Sequence, residues 1–424
     1  MRGVLAGMRG ETLAALDIGS HKICCFIAKP DPDTQQPRVI GIGQQASKGV
    51  KCGAVIDMEA AEMAIRSAVD AAEKMADETV PRVVVNLSGG SPLSAALGVD
   101  VAIAGHAVDD ADLRKAMEPQ RISDAMNGSA VDGREVVHSI ATGYAIDGNR
   151  GIRDPRGMYG DRLSVNVHVV TAASGPVRNL THCIERCHLD VAGLVISPYA
   201  GGLAALVEDE MELGATLIDM GAGTTSIAVF AEGEVVFTDV LPVGGQHVTN
   251  DIARGLSTSR ANAERMKTLY GHAMAAATDQ RETIEVPQVG EEDQGATRQV
   301  PRSLLTGIIQ PRLEETFELV RSRLEASGAD RMAGRRVVLT GGASQLPGLR
   351  DLASQALDKQ VRTGRPAHTP GLSEATNGPA YATCAGLLAY AADAQTAAPE
   401  PSHTENREPS GVFGRLGYWL RENF

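Results

Sequence analysis

Two segments of this 424-residue chain share one plan, and their repetition constrains the fold more than any other feature. In the first, an apolar run from Thr12 to Ile18 breaks at Gly19-Ser20-His21-Lys22 and then resumes. In the second, Ala215 to Phe230 is apolar around Asp219-Met220-Gly221. Each segment is typical of a strand, a tight turn and a return strand, with Asp-x-Gly at the turn. Two copies about two hundred residues apart predict an internal duplication, in a chain long enough for two to three domains or lobes.

The same turns carry the candidate chemistry. Glycine lets the backbone approach a ligand closely, so that successive amide N–H groups and a nearby hydroxyl can bind phosphate oxygens. Asp17 and Asp219 would repel phosphate, and their sensible role is to hold Mg²⁺, usually through water. Either turn alone is more often ordinary turn chemistry. The functional interpretation is favoured by the ordered set, which continues with Gly244-Gly245 closing a strand and Gly341-Gly342 opening a helix.

The remaining pattern predicts alternating strands and helices. Residues from about 91 to 170 look like a compact insertion, and a polar hairpin is expected over roughly 279 to 302. The other predicted elements are a helix over 57–76 capped by Asp57, a strand Arg82–Leu87, a helix 176–187, a strand 191–196, a helix 198–208, a helix capped by Ser259 and ending at Tyr270, a helix ending at Leu324, a last strand 336–339, and a helix to Leu357 with Pro347 in its first turn.

Composition excludes several classes of protein. Forty basic and 53 acidic residues give a net charge of −13 without a basic stripe, so a nucleic-acid partner is not expected. Six scattered cysteines match neither a disulfide framework nor paired zinc knuckles, and Cys183 and Cys187 are better explained as packed thiols than as metal ligands. The N-terminus lacks the apolar core of a signal peptide, and no run has the eighteen apolar residues of a membrane span, which predicts a cytoplasmic protein unless something peripheral anchors it.

The ordered motifs resemble the phosphate-1, phosphate-2 and adenosine motifs of the actin, sugar-kinase and Hsp70 superfamily. Several details are similar to the FtsA family in particular, over about 11 to 391 and again in the tail. They are Ala15 to Lys22, His138 to Asp147, Ile184 to Cys187, Leu217 to Thr225, Gly244 to Ala253 and Ala263 to Lys267.

This resemblance implies an α/β, actin-like two-lobed ATPase fold of duplicated ribonuclease-H-like domains, with an inserted small α+β subdomain and a C-terminal amphipathic helix. It implies ATP and Mg²⁺ as ligands, with Asp17 and Asp219 bracketing the metal, probably through water. The residues that it places around the nucleotide are Asp17, Gly19, Ser20, His21, Lys22, Gly221, Ala222, Gly223, Thr224, Thr225, Gly244, Gly245, Glu264, Lys267, Gly341, Gly342 and Ala343. For Glu264 and Lys267, three apart on a helix, a surface ion pair is the open alternative.

Pattern and resemblance together predict the following division of the chain: 1–90 and 172–200 as the first lobe, 91–171 as the inserted subdomain, 201–244 as the second-lobe core, 245–335 as its small subdomain on the adenine side, 336–391 as second-lobe core and return to the first lobe, 392–410 as a disordered linker, and 411–424 as a membrane-targeting helix.

The tail shows an amphipathic pattern of its own. Arg415, Arg421 and Glu422 share one side, and fourteen helical residues would reach about 21 Å, short of the roughly 30 Å hydrocarbon core. The segment is therefore expected to lie flat in the membrane interface, with a helix docked on the body as the alternative. The apolar residues at helical spacing are Val412, Phe413, Leu416, Trp419, Leu420 and Phe424.

The function implied is an ATP-binding division protein that polymerises into protofilaments on the cytoplasmic side of the inner membrane at the division site. Its expected partners are the C-terminal tail of the tubulin-like FtsZ, bound at roughly 245–335, other copies of itself, later division proteins and inner-membrane lipid. No Gln or Glu near Pro198 to Leu206 would orient an attacking water, so hydrolysis is expected to be slow at most. The alternatives are a pilus-assembly adaptor resembling PilM and a small-molecule kinase of the same superfamily.

Overall fold

The computed structural model describes residues 12–31, 36–126, 133–276, 279–289, 297–367 and 369–396. The predicted tail at 411–424 and most of the predicted linker lie outside these residues.

The first central sheet has five strands in the order β11-β6-β1-β2-β3. β1 pairs antiparallel with β2, the return strand after the turn. On its other side β1 pairs in parallel with β6, which the chain reaches by a crossover connection. β6 and β11 pair in parallel, and β2 and β3 are antiparallel. The bounds are β1 Leu13–Ile18, β2 Lys22–Pro30, β3 Pro37–Ala46, β6 Arg82–Leu87 and β11 Asp190–Ile196.

The second central sheet repeats this arrangement strand for strand, in the order β14-β13-β12-β17-β18. β12 pairs antiparallel with β13 and parallel with β17, and β17 pairs in parallel with β18. The predicted duplication is therefore confirmed at the level of topology. The bounds are β12 Ala215–Met220, β13 Thr225–Ala231, β14 Glu234–Leu241, β17 Arg336–Thr340 and β18 Gln360–Thr363.

The predicted insertion forms its own antiparallel sheet, ordered β7-β10-β8-β9, with two short helices and a separate apolar core around Val101, Ile122 and Leu163. Its edge touches the second lobe, where the Ser94 hydroxyl donates to the Thr238 carbonyl at 2.7 Å. The bounds are β7 Leu93–Ala102, α2 Asp110–Ala116, α3 Pro119–Ala125, β8 Arg134–Ile146, β9 Asn149–Ile152 and β10 Arg162–Ala173.

Two helices pack against each other between the central sheets and share one apolar core with both. They are α5, Ser197–Ala205, and α11, Ala382–Thr396. Gly386 permits the close crossing, because a Cβ there would lie 1.6 Å from the Ala200 carbonyl oxygen. The two helices thus cross at a contact between small residues, within a core that also holds large side chains such as Tyr199 and Tyr390.

The remaining elements flank the sheets. Asp57 and Ser259 cap α1 and α8 as predicted, accepting from the Ala60 and Asn262 amides. The bounds are α1 Met58–Ala76, α4 Ser174–Glu185, α6 Glu208–Leu213, α7 Gly245–Leu256, α8 Arg260–Tyr270, α9 Arg302–Ser327, α10 Leu349–Leu357, and two hairpins, β4 Val50–Lys51 with β5 Ala54–Val55 and β15 Thr283–Pro287 with β16 Thr297–Pro301.

Several predicted boundaries are wrong. The helix expected to reach Glu208 ends at Ala205. Strand β18 was not predicted, because it has only four residues and three of them are polar. Pro347 lies outside the helix that it was expected to begin, since Gly348 caps α10. The helix α11 continues to Thr396, five residues into the predicted linker. Among the described residues, no helix has both the length and the apolar character needed to cross a membrane.

Candidate functional site

A cavity of about 450 Å³ opens where β1 and β12 end, between the two central sheets. Asp17 and Asp219, the fifth residues of these strands, both line it. The α7 and α8 side contributes Gly245, Glu264 and Lys267. The site therefore lies at equivalent ends of the two duplicated units, the edge where open α/β sheets bind ligands.

The two Asp-x-Gly turns have the same hydrogen bond. The Gly19 amide donates to the Lys22 carbonyl at 3.0 Å, and the Gly221 amide donates to the Thr224 carbonyl at 2.9 Å. The turns also meet, because a Cβ on Gly223 would lie 2.5 Å from the Ser20 hydroxyl oxygen. The sequence pattern thus becomes a pair of facing backbone loops that a ligand can reach from the cavity.

The two carboxylates are in an unfavourable setting for negative charge. Burial raises the pKa of Asp17 to about 7, where the nearby Lys22 ammonium opposes the shift and the Asp219 charge adds to it. Burial also raises the pKa of Asp219, against the hydrogen bond from the Thr383 hydroxyl at 2.8 Å and the charge of Lys22. Two acids face one ammonium, so a bound cation would restore the balance.

Asp17 and Asp219 are the residues that could hold such a cation. The described part of the chain contains no cluster of three or more His, Cys, Asp or Glu side chains fit to coordinate a metal. A metal at the two carboxylates would complete its shell with water or ligand oxygens, which suits Mg²⁺ because this ion keeps several waters. Two carboxylates, with water as the remaining ligands, are therefore a donor set that fits Mg²⁺.

Lys22 places positive charge at the same end of the cavity. Its Nζ atom is buried, has no hydrogen-bond partner among the described residues, and lies 3.5 Å from the centre of the Tyr381 ring. A buried ammonium retains three donors for which an anionic ligand would supply acceptors.

Glu264 and Lys267 form an ion pair of 2.8 Å and also line the cavity. The Lys267 ammonium donates to the Thr249 hydroxyl at 2.9 Å and to the Gly245 carbonyl at 3.2 Å. Burial would raise the pKa of Glu264, but the hydrogen bonds from Lys267 and Thr249 outweigh it and lower the pKa. The two side chains therefore form an ion pair on the cavity wall, and the lowered pKa favours the charged form of Glu264.

The Gly341-Gly342 segment is held tightly against the second unit. Gly341 has φ of +86°, and a Cβ there would lie 2.2 Å from the Asp219 Oδ1 atom. Its amide donates to the Pro379 carbonyl at 3.1 Å, which ties the segment to the start of α11. Gly342 and Ala343 begin a short 3-10 helix, Gly342–Gln345, on the cavity wall.

All but one of the residues predicted around the ligand line this cavity. The exception is Thr225, which is fully buried and donates to the Val243 carbonyl at 2.8 Å. The residues brought together are Asp17, Gly19, Ser20, His21, Lys22, Asp219, Gly221, Ala222, Gly223, Thr224, Gly244, Gly245, Glu264, Lys267, Gly341, Gly342 and Ala343.

Sequence reasoning missed other residues of the wall. Asn86 is buried and accepts from the Ile18 amide at 2.7 Å while its own amide lies 3.2 Å from the Ser197 hydroxyl. An asparagine inside the apolar strand Arg82–Leu87 was a signal that could have found it. Thr383, Gln246, Leu313 and Thr316 also line the cavity, and their sequence context carries no comparable signal.

Comparison with known families gives a consistent result. A family model described as "Cell division protein FtsA" matches residues 216–386, and one described as "SHS2 domain inserted in FTSA" matches residues 89–171. The chain is 45% identical to "Cell division protein FtsA" of Agrobacterium fabrum, over 99% of this chain and 96% of that protein.

Solved structures share the fold. A "PilM-PilN type IV pilus biogenesis complex" chain superposes with a TM-score of 0.64 at 18% identity, over 90% of this chain and 98% of that one. MreB5 of Spiroplasma citri bound to ADP superposes with a TM-score of 0.50 at 12% identity, over 89% and 95%. These likenesses establish an actin-like α/β architecture.

Proposed function

The chain belongs to the FtsA family of cell division proteins, and from that premise we propose that it binds ATP and polymerises on the cytoplasmic face of the inner membrane. There it would tether FtsZ filaments and gather later division proteins. The pilus-adaptor alternative has support from the fold alone, since the PilM likeness comes with 18% identity.

The observation that carries the nucleotide part of this proposal is the cavity between the two facing Asp-x-Gly turns. Its volume of about 450 Å³ lies within the usual range of small-ligand sites. The lining combines two groups of residues, glycine backbone with the buried Lys22 ammonium and two carboxylates, and the Glu264–Lys267 pair with apolar side chains. A triphosphate with its metal suits the first group, and a ribose and base suit the second. The MreB5 structure of similar fold holds ADP.

In this proposal, Mg²⁺ supplies positive charge between the phosphates and the two carboxylates. Asp17 and Asp219 hold it through water, and Lys22 donates to phosphate oxygens. Glu264 and Lys267 face the ribose and adenine. Because the turns belong to different lobes, a ligand bound to both stabilises the closed arrangement of the lobes, so ATP would act as an assembly ligand more than as a fuel.

The proposed partners map onto separate parts of the chain. Insertion residues 91–171 would contact neighbouring protomers or division partners, and residues 245–335 would take the FtsZ tail. Residues 411–424, which lie outside the described residues, would anchor the protein. One such helix binds lipid marginally, so stable attachment would need several tails presented by a polymer, which couples assembly to membrane binding.

Two measurements test the proposal. A titration of the purified protein with a fluorescent ATP analogue in Mg²⁺ should give saturable binding that unlabelled ATP displaces. Vesicle co-sedimentation should pellet the full chain with ATP, whereas a variant ending at Ser410 and a Trp419→Glu variant should stay in solution. Equal sedimentation of all three proteins would remove the anchor, and absence of displaceable binding would remove the nucleotide function.

A further inference from the structure

The most unusual polar contact of the cleft lies just behind its wall. The Lys22 Nζ atom is 3.5 Å from the centre of the Tyr381 ring, in contact with its π face. The ammonium is buried and has no hydrogen-bond partner among the described residues. Burying a cation without hydrogen bonds is unfavourable. The charges of Asp17 and Asp219 act on Lys22 without hydrogen-bonding to it, and the ring contact adds a further stabilising interaction.

Tyr381 is held rigidly in the orientation that provides this interaction. Its ring stacks on Phe26 with centroids 6.1 Å apart and an interplanar angle of 16°. Its hydroxyl donates to the Gln44 side-chain oxygen at 2.6 Å. Phe26 and Gln44 belong to β2 and β3, so the first lobe both stacks against the ring and accepts the hydrogen bond of its hydroxyl.

The backbone next to Tyr381 is tied to the second lobe. The Pro379 carbonyl accepts from the Gly341 amide at 3.1 Å and from the Thr340 hydroxyl at 3.0 Å. The Thr383 hydroxyl donates to Asp219 at 2.8 Å. Pro379, Ala380 and Thr383 line the cavity, whereas the structure places Tyr381 behind it. The Tyr381 ring would therefore act on a ligand indirectly, and Lys22 is a cavity-lining residue that it contacts.

An aromatic face suits this position better than an ordinary acceptor would. A carboxylate or amide beside Lys22 would accept its N–H groups and compete with a ligand for them. A ring face attracts the cation through its quadrupole without accepting a directed hydrogen bond of full strength. The ammonium is thus stabilised beside the cleft while its donors remain unpaired.

We propose that Tyr381 is a positioning residue for nucleotide binding, whose ring seats the Lys22 ammonium at the phosphate end of the cleft. The inference rests on the proposed nucleotide function and deepens it, because it names what sets the preference for a ligand with several phosphates over one with none. Tyr381 contributes to the affinity for ATP and ADP and does not contribute to the affinity for adenosine.

The test compares ligands in one set of variants. Tyr381→Leu removes the π face, and its dissociation constant for Mg·ATP should rise about five- to twentyfold, as expected for loss of a desolvated cation–π contact. Its dissociation constant for adenosine, measured by displacement of the same fluorescent analogue, should stay within about twofold of the wild-type value. Tyr381→Met, which also lacks a ring, serves if the leucine variant does not fold.

Two matched variants separate the ring from the hydroxyl. Tyr381→Phe keeps the face and loses the bond to Gln44, and Gln44→Ala removes the partner of that bond. Both should retain the preference for ATP over adenosine. In a Lys22→Met background, Tyr381→Leu should have no further effect on ATP affinity, because the interaction that it removes is already gone.

Each other outcome overturns the proposal. Equal weakening of ATP and adenosine would assign Tyr381 a structural role, and an unchanged ATP affinity in Tyr381→Leu would show that the ring does nothing for Lys22. Additive losses in the Lys22→Met background would have the same meaning. Absence of ATP binding by the wild-type protein would overturn this inference together with the nucleotide function, whereas the variant results bear on Tyr381 alone.

Discussion

The two duplicated units share strand order, pairing and turn, yet they surround their aspartates differently. In the first unit the fourth turn residue is Lys22, and in the second the equivalent residue is Thr224, as the matching Gly19 and Gly221 hydrogen bonds show. The first unit therefore brings a full positive charge to the cleft. The second brings a hydroxyl and two glycines, Gly221 and Gly223, that allow close backbone contact.

This difference extends to the carboxylates. Asp219 receives a hydrogen bond from Thr383, which lowers its pKa against the effect of burial. For Asp17 the opposing influence is the charge of Lys22, and burial still raises its pKa to about 7. The duplicated scaffold thus raises the pKa of both carboxyls by burial but opposes the rise with different neighbours, and Asp17 is near its titration midpoint at neutral pH. The same turn geometry does not imply the same chemistry.

The largest expected effect comes from removing the second-unit acid. At pH 7, Asp219→Ala should weaken Mg·ATP binding by more than roughly a hundredfold, the upper range for losing a group that holds a metal through its shell. Asp17→Ala should weaken it by about a factor of two less, because half of the Asp17 carboxyl is protonated in the free protein at this pH and must release its proton before it can hold the metal. Fluorescence titration of both variants measures the difference. The proposed difference between the two units is contradicted if Asp17→Ala weakens Mg·ATP binding more than Asp219→Ala does, or if both variants bind like the wild type.

The close backbone contacts of the second unit predict the next effect. Gly341→Ala should destabilise the protein by at least about 1–2 kcal/mol, because an alanine is strained at a left-handed φ of +86°. Its Cβ would also displace the Asp219 carboxylate, 2.2 Å away, and so weaken Mg·ATP binding.

Gly342→Ala is the matched control for this prediction. A Cβ at Gly342 meets nothing closer than the Ala380 Cβ at 3.9 Å. Thermal unfolding should separate the two variants by several degrees, since 1 kcal/mol shifts the midpoint by about 2–4 °C in larger domains. Similar unfolding midpoints for both variants would show that Asp219 is not held against this backbone.

The titration of Asp17 predicts a pH dependence. Its pKa rises from an ordinary 3.8 to about 7 in the folded chain. Between these values the folded state keeps a proton that the unfolded state has released, so the contribution to stability is greatest below about pH 4 and is lost as the pH rises through about 7. Asp17→Asn cannot ionise and should flatten this part of the profile.

The measurement is the unfolding midpoint of the metal-free and nucleotide-free protein at pH 5 and pH 8. The wild-type midpoint should fall more between these values than the midpoint of Asp17→Asn does. Asp219→Asn is the comparison variant, and because burial raises the pKa of that carboxyl too, it should also flatten part of the profile. Identical profiles for wild type and Asp17→Asn would contradict the assigned protonation.

The sequence predicted the parts of this molecule that local pattern controls. Apolar runs ending in Asp-x-Gly located β1 and β12, and their repetition anticipated the matching sheets. Contacts between distant residues were beyond its reach, because Tyr381 meets Lys22 and Thr383 meets Asp219 only after α11 returns to the cleft. The bounds of helices and strands were predicted wrongly where the local sequence pattern is weak and tertiary packing decides, as at the end of α5 and in β18.

The smallest predicted effects concern Thr224 and Thr225, two adjacent residues at the end of the second turn for which different roles are expected. Strand alternation decides their roles, since successive side chains of a strand point to opposite faces, and the second of the two begins β13. Thr224 lines the cavity, so Thr224→Ala should weaken Mg·ATP binding by a few fold, about the value of one hydrogen bond. Thr225 is fully buried and donates to the Val243 carbonyl at 2.8 Å, so Thr225→Val should leave affinity within about twofold and lower the free energy of unfolding by about 1 kcal/mol. Denaturant unfolding and nucleotide titration of both variants measure the two quantities independently. A Thr225→Val variant with normal stability and weak nucleotide binding would return Thr225 to the site, where the resemblance placed it.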